Sequence, residues 1–569
     1  MELKWDLKDL FLSDEDFTQE IKSIYALTKE FTLKSKDITI TNLKEFLDTK
    51  WLILKRANIC LIYGSLKYYE DVNNEICKHF MTEAEQLDNY VNEDCAFVDQ
   101  FILSINKEHI LQIKDIEPYK FYITEIFRNQ EHIKDNLTAK EITNNNNFIN
   151  AEIKKYNETI KSITYGSITV NNEEITITPT NLSKYLCSKD RVIREKTYQL
   201  LNEKYSEKTT IFKDILNSII KTRKINAAKK SYQNVLDEAL FTENIPKDII
   251  DTLIKSTSNN IHLIQEYLKI KAEFLGVPDP HIYDFGPAMC EFTPKTYSTK
   301  EALDIIKEAL KPLGNEYLQV VDILLTNHIN GELSEKKHQS ITFSWYTYSF
   351  LQFNGSYNSL KNLIHELGHI VNDYLSIKNE PFMYYNSPIF TGEIASLTNE
   401  ILLNKYLYEQ AKTDEEKILF LSKNIENYFT TVFKQVMYTE FENFLYGSDE
   451  LTIEILNSEY KQLIKKYYGE SVNLEGETFT DWTRLGHIYR WSYYPFKYAT
   501  GLIMANIVAN NIMNGSLSTN KYLEFLSSGS AMSIKDLLKI VNIDLEQEQN
   551  ISLGFNNLDN DLQKLKKLI

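Results

Sequence analysis

The chain of 569 residues carries 63 basic against 80 acidic side chains, a net charge of −17, with 43% hydrophobic and 25% charged residues. That is an ordinary globular composition, and so acidic a surface repels phosphate backbones and anionic lipid, which sets nucleic acid and membrane surfaces aside as partners. The opening residues lack an apolar signal core, and Cys60, Cys77, Cys95, Cys187 and Cys290 are scattered without a CxxC pair; reduced thiols in a cytoplasmic chain are expected, each a small buried hydrophobe rather than a ligand.

With only 17 Gly and 11 Pro the chain has little punctuation, and apolar residues recur at three- and four-residue steps. Helices are expected over 43–98, 184–239, 245–275 and 415–445. Asn144 to Asn147 reads as a polar loop or helix break, and Gly276 to Pro280 as a second break. Ser167 to Thr178 alternates β-branched with polar residues around Asn-Asn-Glu-Glu and predicts a hairpin. Ser340 to Gln352, rich in Thr, Phe and Tyr, is a second strand-like stretch. The most apolar run, Ala499 to Met513, is short for a membrane span and contains three Asn.

Residues 362–373 read Asn-Leu-Ile-His365-Glu366-Leu-Gly-His369-Ile-Val-Asn-Asp373, an HExxH pattern. With 10 His and at most 80 Glu, chance supplies about 0.02 such matches in a chain of this length. On a helix, Leu363, Ile364, Leu367, Ile370, Val371, Tyr374 and Leu375 fall on one side, and Asn362, His365, Glu366, His369 and Asp373 on the other. Two imidazoles one turn apart can reach one cation with Glu366 beside it; the alternative is a solvated polar face that happens to hold two His.

A catalytic zinc needs a third protein ligand. The metzincin arrangement needs Gly at 372 and His at 375, where Asn372 and Leu375 stand. The thermolysin arrangement would put Asp at Leu397, and the aminopeptidase arrangement Glu at Pro388. Phe390 to Glu400 does fit: a helix begun at Thr391 or Gly392 places Glu393 in its first turn and Glu400 two turns on, nearly on the same face. On spacing alone Glu393 is a third ligand or an ordinary N-terminal helix acid. Asp373 and Glu400 are either carboxylates that orient the imidazoles or surface acids.

His365-Glu366-Leu-Gly-His369 followed by Glu393-Ile-Ala-Ser396 resembles the oligoendopeptidase F family of thimet oligopeptidase-like zinc metallopeptidases. The likeness extends to Trp5 to Phe11, Asp190-Arg191-Val-Ile-Arg194, Tyr498-Ala-Thr-Gly501 and Phe525 to Ser530. Lys336 to Trp345 departs from the family's segment before the metal helix, so no substrate preference carries over. The resemblance implies a mainly α, two-lobed body with a deep central channel and a few short strands near the active site. It places an N-terminal helical region over 1–110, a helical segment with the hairpin over 111–190, and the catalytic domain over 191–569.

It also implies one zinc ion per chain on His365, His369 and Glu393, with Glu366 activating a zinc-bound water. By the same resemblance His487 and Tyr498, with Tyr494 next, are expected to face the metal as hydrogen-bond donors; against that, clustered aromatics in a chain with 36 Tyr are often core. Short peptides are the expected substrates and endopeptidase cleavage the expected activity. An exopeptidase using the same site, and a helical peptide-binding protein that keeps zinc without turnover, are the rivals.

Overall fold

The computed structural model describes residues 7–290, 295–327, 329–330, 343–345, 347–350, 353–544 and 547–569. Most of them are helical, as the scarcity of Gly and Pro requires. Helix starts are set by side-chain caps that satisfy otherwise orphaned N–H groups. Asn74 accepts from the N–H groups of Ile76 and Cys77, Asp190 from that of Val192, and Ser356 from that of Ser359. Among the described residues no helix is long and apolar enough to cross a membrane.

The chain forms two units, each assembled from separated stretches. The first comprises Met1–Ile133, Pro294–Glu400 and Gly515–Val541. Its N-terminal part packs helices Asp14–Leu33, Leu43–Glu70 and Glu75–Asp94 around a core that includes Phe17, Ile24, Leu47, Ile62, Leu87 and Val91. Its three short strands run in the order Ile329–Asn330, Tyr348–Phe350, Phe343–Trp345, parallel across the first pair and antiparallel across the second. Strand Phe343–Trp345 lies beside helix Tyr357–Asn379. The strand-like expectation over 340–352 is therefore met where it is described; Lys336 to Gln339, like the rest of 331–342, lies outside the described residues.

The second unit comprises Lys134–Thr293, Ile401–Asn514 and Asn542–Ile569. Strands Gly166–Val170 and Glu173–Ile177 form the expected hairpin. Its turn is the two-residue Asn171-Asn172, both at positive φ (52° and 66°), a conformation Asn tolerates better than most residues. Helix Pro495–Met513 is buried nearly all round, so its apolar run is explained by core packing. The break at 276–280 is present, with Gly276 at φ 66° just past helix Ile261–Phe274. The segment Asp190 to Arg194 is structural: Arg191 and Arg194 both grip Asp284, buried at 1% exposure, with contacts of 2.9 and 2.6 Å.

Two expectations fail. Cys187, just past the short helix Leu182–Leu186, is exposed, while the other four cysteines are buried as expected. Asn144 to Asn147 neither loops nor breaks; helix Asn136–Lys161 runs straight through them. The physical reason is a cross-helix ladder to Asn226 of helix Thr209–Lys229: Asn145 Nδ2 donates to Asn226 Oδ1 at 2.8 Å, and Asn226 Nδ2 donates to Asn146 Oδ1 at 2.9 Å. Those amides bond a neighbouring helix and so do not compete with their own backbone.

Candidate metal centre

Helix Tyr357–Asn379 carries the HExxH residues. Leu363, Ile364, Leu367, Ile370, Val371 and Leu375 are buried, while His365, Glu366, His369 and Asp373 are half-buried on the opposite face. The second helix, Ile389–Gln410, begins two residues earlier than the sequence suggests, because the N–H groups of Thr391 and Gly392 both reach the Pro388 carbonyl. Glu393 therefore enters its second turn.

The two helices meet at Gly368, between the two histidines. A Cβ there would lie 2.5 Å from Ser396 Cα and 2.9 Å from the Ala395 carbonyl oxygen, so the absence of a side chain permits the approach. Asn399 Nδ2 ties the crossing by donating to the Ile364 carbonyl at 3.3 Å, and its Oδ1 accepts from the Tyr317 hydroxyl at 3.0 Å. The loop between the helices is pinned on both sides. The Tyr384 hydroxyl accepts from the Tyr122 N–H, and the Tyr384 carbonyl accepts from the Ser530 N–H at 2.8 Å. Gly529 sits there at φ 46°, where a Cβ would collide with that carbonyl.

This frame brings His365, His369 and Glu393 together: one ligand atom from each lies within 4.8 Å of the others. The two Nε2 atoms are 3.2 Å apart, and each is 3.9 Å from a Glu393 carboxylate oxygen. Nδ1 of His365 is 2.7 Å from Glu400 Oε1, and Lys361 Nζ is 3.0 Å from Glu400 Oε2. Burial opposes the charge on Glu400, but Lys361 and His365 hold its carboxyl below the usual range. An ionised Glu400 makes Nδ1 of His365 the protonated nitrogen and leaves Nε2 with its lone pair turned to His369 and Glu393.

The same fields act on the other groups. Burial pulls His365 down, yet the bond to Glu400 and the charges of Glu400, Glu393 and Glu366 outweigh it, so its proton is held more tightly than usual. Burial, then the neighbouring His365, pushes His369 down to about 3. Burial lifts Glu393 above its normal range, with Ser396 and His365 acting against the rise. Two imidazole nitrogens and a carboxylate converge there, a donor set that suits zinc once the ion displaces the protons they carry. Tetrahedral bonds of about 2.0–2.1 Å put ligand atoms roughly 3.3 Å apart.

Of the two acids left open by the sequence, Glu400 orients an imidazole and Asp373 does not. Glu400→Gln is expected to weaken zinc affinity about 10- to 100-fold in a competitive chelator titration, since the amide no longer holds the Nδ1 proton as firmly. The sequence pattern gives Lys361 no role, although it lies one turn before His365 on the same face. The Asp373 carbonyl accepts from Ser376 Oγ at 3.1 Å, but its carboxyl has no hydrogen-bond or charged partner among the described residues, and burial pushes it up to about 7.

His487, Tyr494 and Tyr498 belong to the second unit, where they form one aromatic cluster. His487 stacks on Tyr494 with ring centres 5.9 Å apart and meets Tyr498 edge-on at 5.6 Å, while Trp491 stacks on Tyr494 at 4.8 Å. Burial, then Arg490, lowers the His487 pKa. The connection carrying these rings is held from below by two buried groups. Arg223 donates to the carbonyls of Ile488, Tyr489 and Trp491, and Glu442 accepts the N–H of Tyr493, which sits at φ 50°.

Burial pushes the Glu442 carboxyl up to about 8, against the pull of the Tyr493 N–H, Arg223 and Lys497. Its folded pKa thus lies above the value of about 4.3 it has in an unfolded chain. The stability it contributes is whole below that value and is lost as pH rises through about 8. Glu442→Gln keeps an acceptor for Tyr493 and has no charge to bury. Its melting temperature relative to wild type should rise by roughly 5 °C between pH 5 and pH 9. Equal shifts at both pH values would clear Glu442 of this role.

Residues 184–302 and 334–556 match the model of Peptidase family M3. Oligopeptidase PepF of Bacillus subtilis is 26% identical over 99% of this chain and 87% of its own length. Oligoendopeptidase F, plasmid, of Lactococcus lactis subsp. cremoris is 26% identical over 100% and 97%. Among solved structures, one from Chlamydophila abortus superposes with a TM-score of 0.89 at 27% identity, covering 100% of this chain and 98% of that one. Oligoendopeptidase-F from Enterococcus faecium superposes at 0.73 and 24% identity, with 97% and 99% coverage, a likeness of fold.

Proposed function

Taking as premise that this chain belongs to Peptidase family M3, we propose that it is a zinc-dependent endopeptidase that hydrolyses internal bonds of short oligopeptides. One ion per chain would be held by His365, His369 and Glu393. The observation that carries the reading is the convergence of those three side chains with Glu366 adjacent on the same helix. A zinc ion so held supplies Lewis acidity, lowering the pKa of water toward neutrality and polarising a carbonyl.

The protein's own groups do the rest. Glu366 accepts a proton from the attacking water and returns it to the departing amine. Glu400 and Lys361 keep the His365 ring in its ligating tautomer. His487, neutral at pH 7 given its lowered pKa, donates its ring N–H to the carbonyl oxygen as that oxygen gains charge. Tyr498, with Tyr494, donates there too; one such donor is worth about 3 kcal/mol in the transition state. The free thiols of all five cysteines suit a reducing compartment, so the cytoplasm is the proposed place of action.

The test is cleavage of a quenched oligopeptide blocked at both ends, followed by product mapping. Internal cleavage that stops with a chelator and returns with zinc is the expected result. Cleavage unaffected by chelation would end the metal mechanism. Release of terminal residues from unblocked peptides alone would replace the endopeptidase with an exopeptidase.

A further inference from the structure

We propose that the cavity beside the metal centre is a subsite for a cationic group of the peptide, an ammonium or guanidinium, with Asp373 as its counter-ion. The cavity measures about 360 Å3, room for a long side chain, and its wall includes His369 and Glu393, so it opens directly onto the reacting position. The subsite rests on the peptidase reading, since it presumes that a peptide lies along that wall.

The argument is one of unmet electrostatics. The other acids around His365 and His369 whose partners the geometry resolves are already engaged. Glu400 binds His365 and Lys361, and Glu393 faces both imidazoles. The Asp373 carboxyl, one turn past His369, has no donor and no cation among the described residues. A carboxylate withdrawn from water without a partner is costly, and a cation brought by a ligand removes that cost.

The rest of the wall favours the same ligand. Asn372 spends its amide Nδ2 on the Leu526 carbonyl at 2.7 Å, and its Oδ1 lies, with His369 Nδ1, beside the place a Cβ of residue 392 would take. Gly392 adds no side chain, and a Cβ built there would still be 4.0 Å from that oxygen. Asn372, Asp373 and Ser387 all line this one small volume, and each carries a side-chain oxygen able to accept. An ammonium offers three donors and a guanidinium five, whereas an acidic side chain would meet acceptors and like charge.

The test measures binding, so that turnover is not required. Zinc-loaded protein carrying Glu366→Gln is titrated with dye-labelled peptides of one sequence, blocked at both ends, in which each position near the centre is in turn Lys or norleucine. A further probe with a free amino terminus separates an α-ammonium from a side-chain source. The expected result is about tenfold tighter binding of one Lys peptide, or of the free-amine peptide, over its neutral counterpart. That ratio should fall to within about twofold in Asp373→Asn and Asp373→Ser, two variants of different size so that a folding defect in one does not decide the matter.

A parent protein with no preference for either cation overturns the proposal, and so does a preference that survives both substitutions. Loss of zinc affinity in Asp373→Asn with an unchanged peptide ratio also overturns it, making Asp373 a positioning residue for His369. A cation preference that depends on Asp373, in a protein whose wild type cleaves no peptide, would sink the peptidase reading and leave the subsite standing.

Discussion

Replacing Glu366 by Gln is expected to lower kcat by about three orders of magnitude while leaving zinc content and KM nearly unchanged. Gln has the size of Glu but cannot take a proton at neutral pH. Glu366 is half-buried, and its charge acts on both His365 and Glu393, which places its carboxylate in the field of the donor set. The measurement is steady-state cleavage of a blocked peptide alongside metal analysis of the same sample. Full activity in the Gln variant would remove the general base from the mechanism, and zinc loss in step with activity would make Glu366 a ligand instead.

The second large effect concerns packing. Gly368→Val would drive a branched side chain into the backbone of Ser396, whose Cα already stands 2.5 Å from the position of a Cβ. Backbone cannot yield as a flexible side chain does, so the helices must separate, and Glu393 leaves the imidazoles as they do. We expect a destabilisation of about 3 kcal/mol in denaturant unfolding, the upper end for overpacking, together with at least a tenfold loss of zinc affinity. Unchanged metal affinity would show that the donor set tolerates a wider crossing.

Helix Tyr357–Asn379 is legible in the sequence because its two faces differ so sharply: six of the seven apolar residues predicted for one side are buried, Tyr374 being half-buried, and the polar residues opposite include both His. Glu393 is ambiguous by spacing, since a helix acid and a ligand look alike until a second helix is placed against the first. What brings its carboxylate to the two imidazoles is the contact at Gly368, a tertiary fact that no local pattern contains. The asparagines at 144–147 mislead for a related reason, since their helical state depends on Asn226 some eighty positions later. Lys361 is visible as a charge one turn from His365, but its use depends on Glu400. His487, Tyr494 and Tyr498 pack against one another, close together in the sequence as they are in space. Their support by Arg223 and Glu442 depends on long-range contacts that the sequence does not display.

The weaving of the first unit from three stretches has a consequence for biosynthesis. Residues 526–530 hold Asn372 and Tyr384, yet they leave the ribosome well over a hundred residues after the histidines. At ordinary elongation speeds that is a wait of roughly ten seconds. During it the two helices have their crossing at Gly368 and Asn399 but lack the ties to Asn372 and Tyr384. If the proposed site takes zinc, a ribosome-stalled fragment ending before residue 515 should capture the ion more weakly than the released protein.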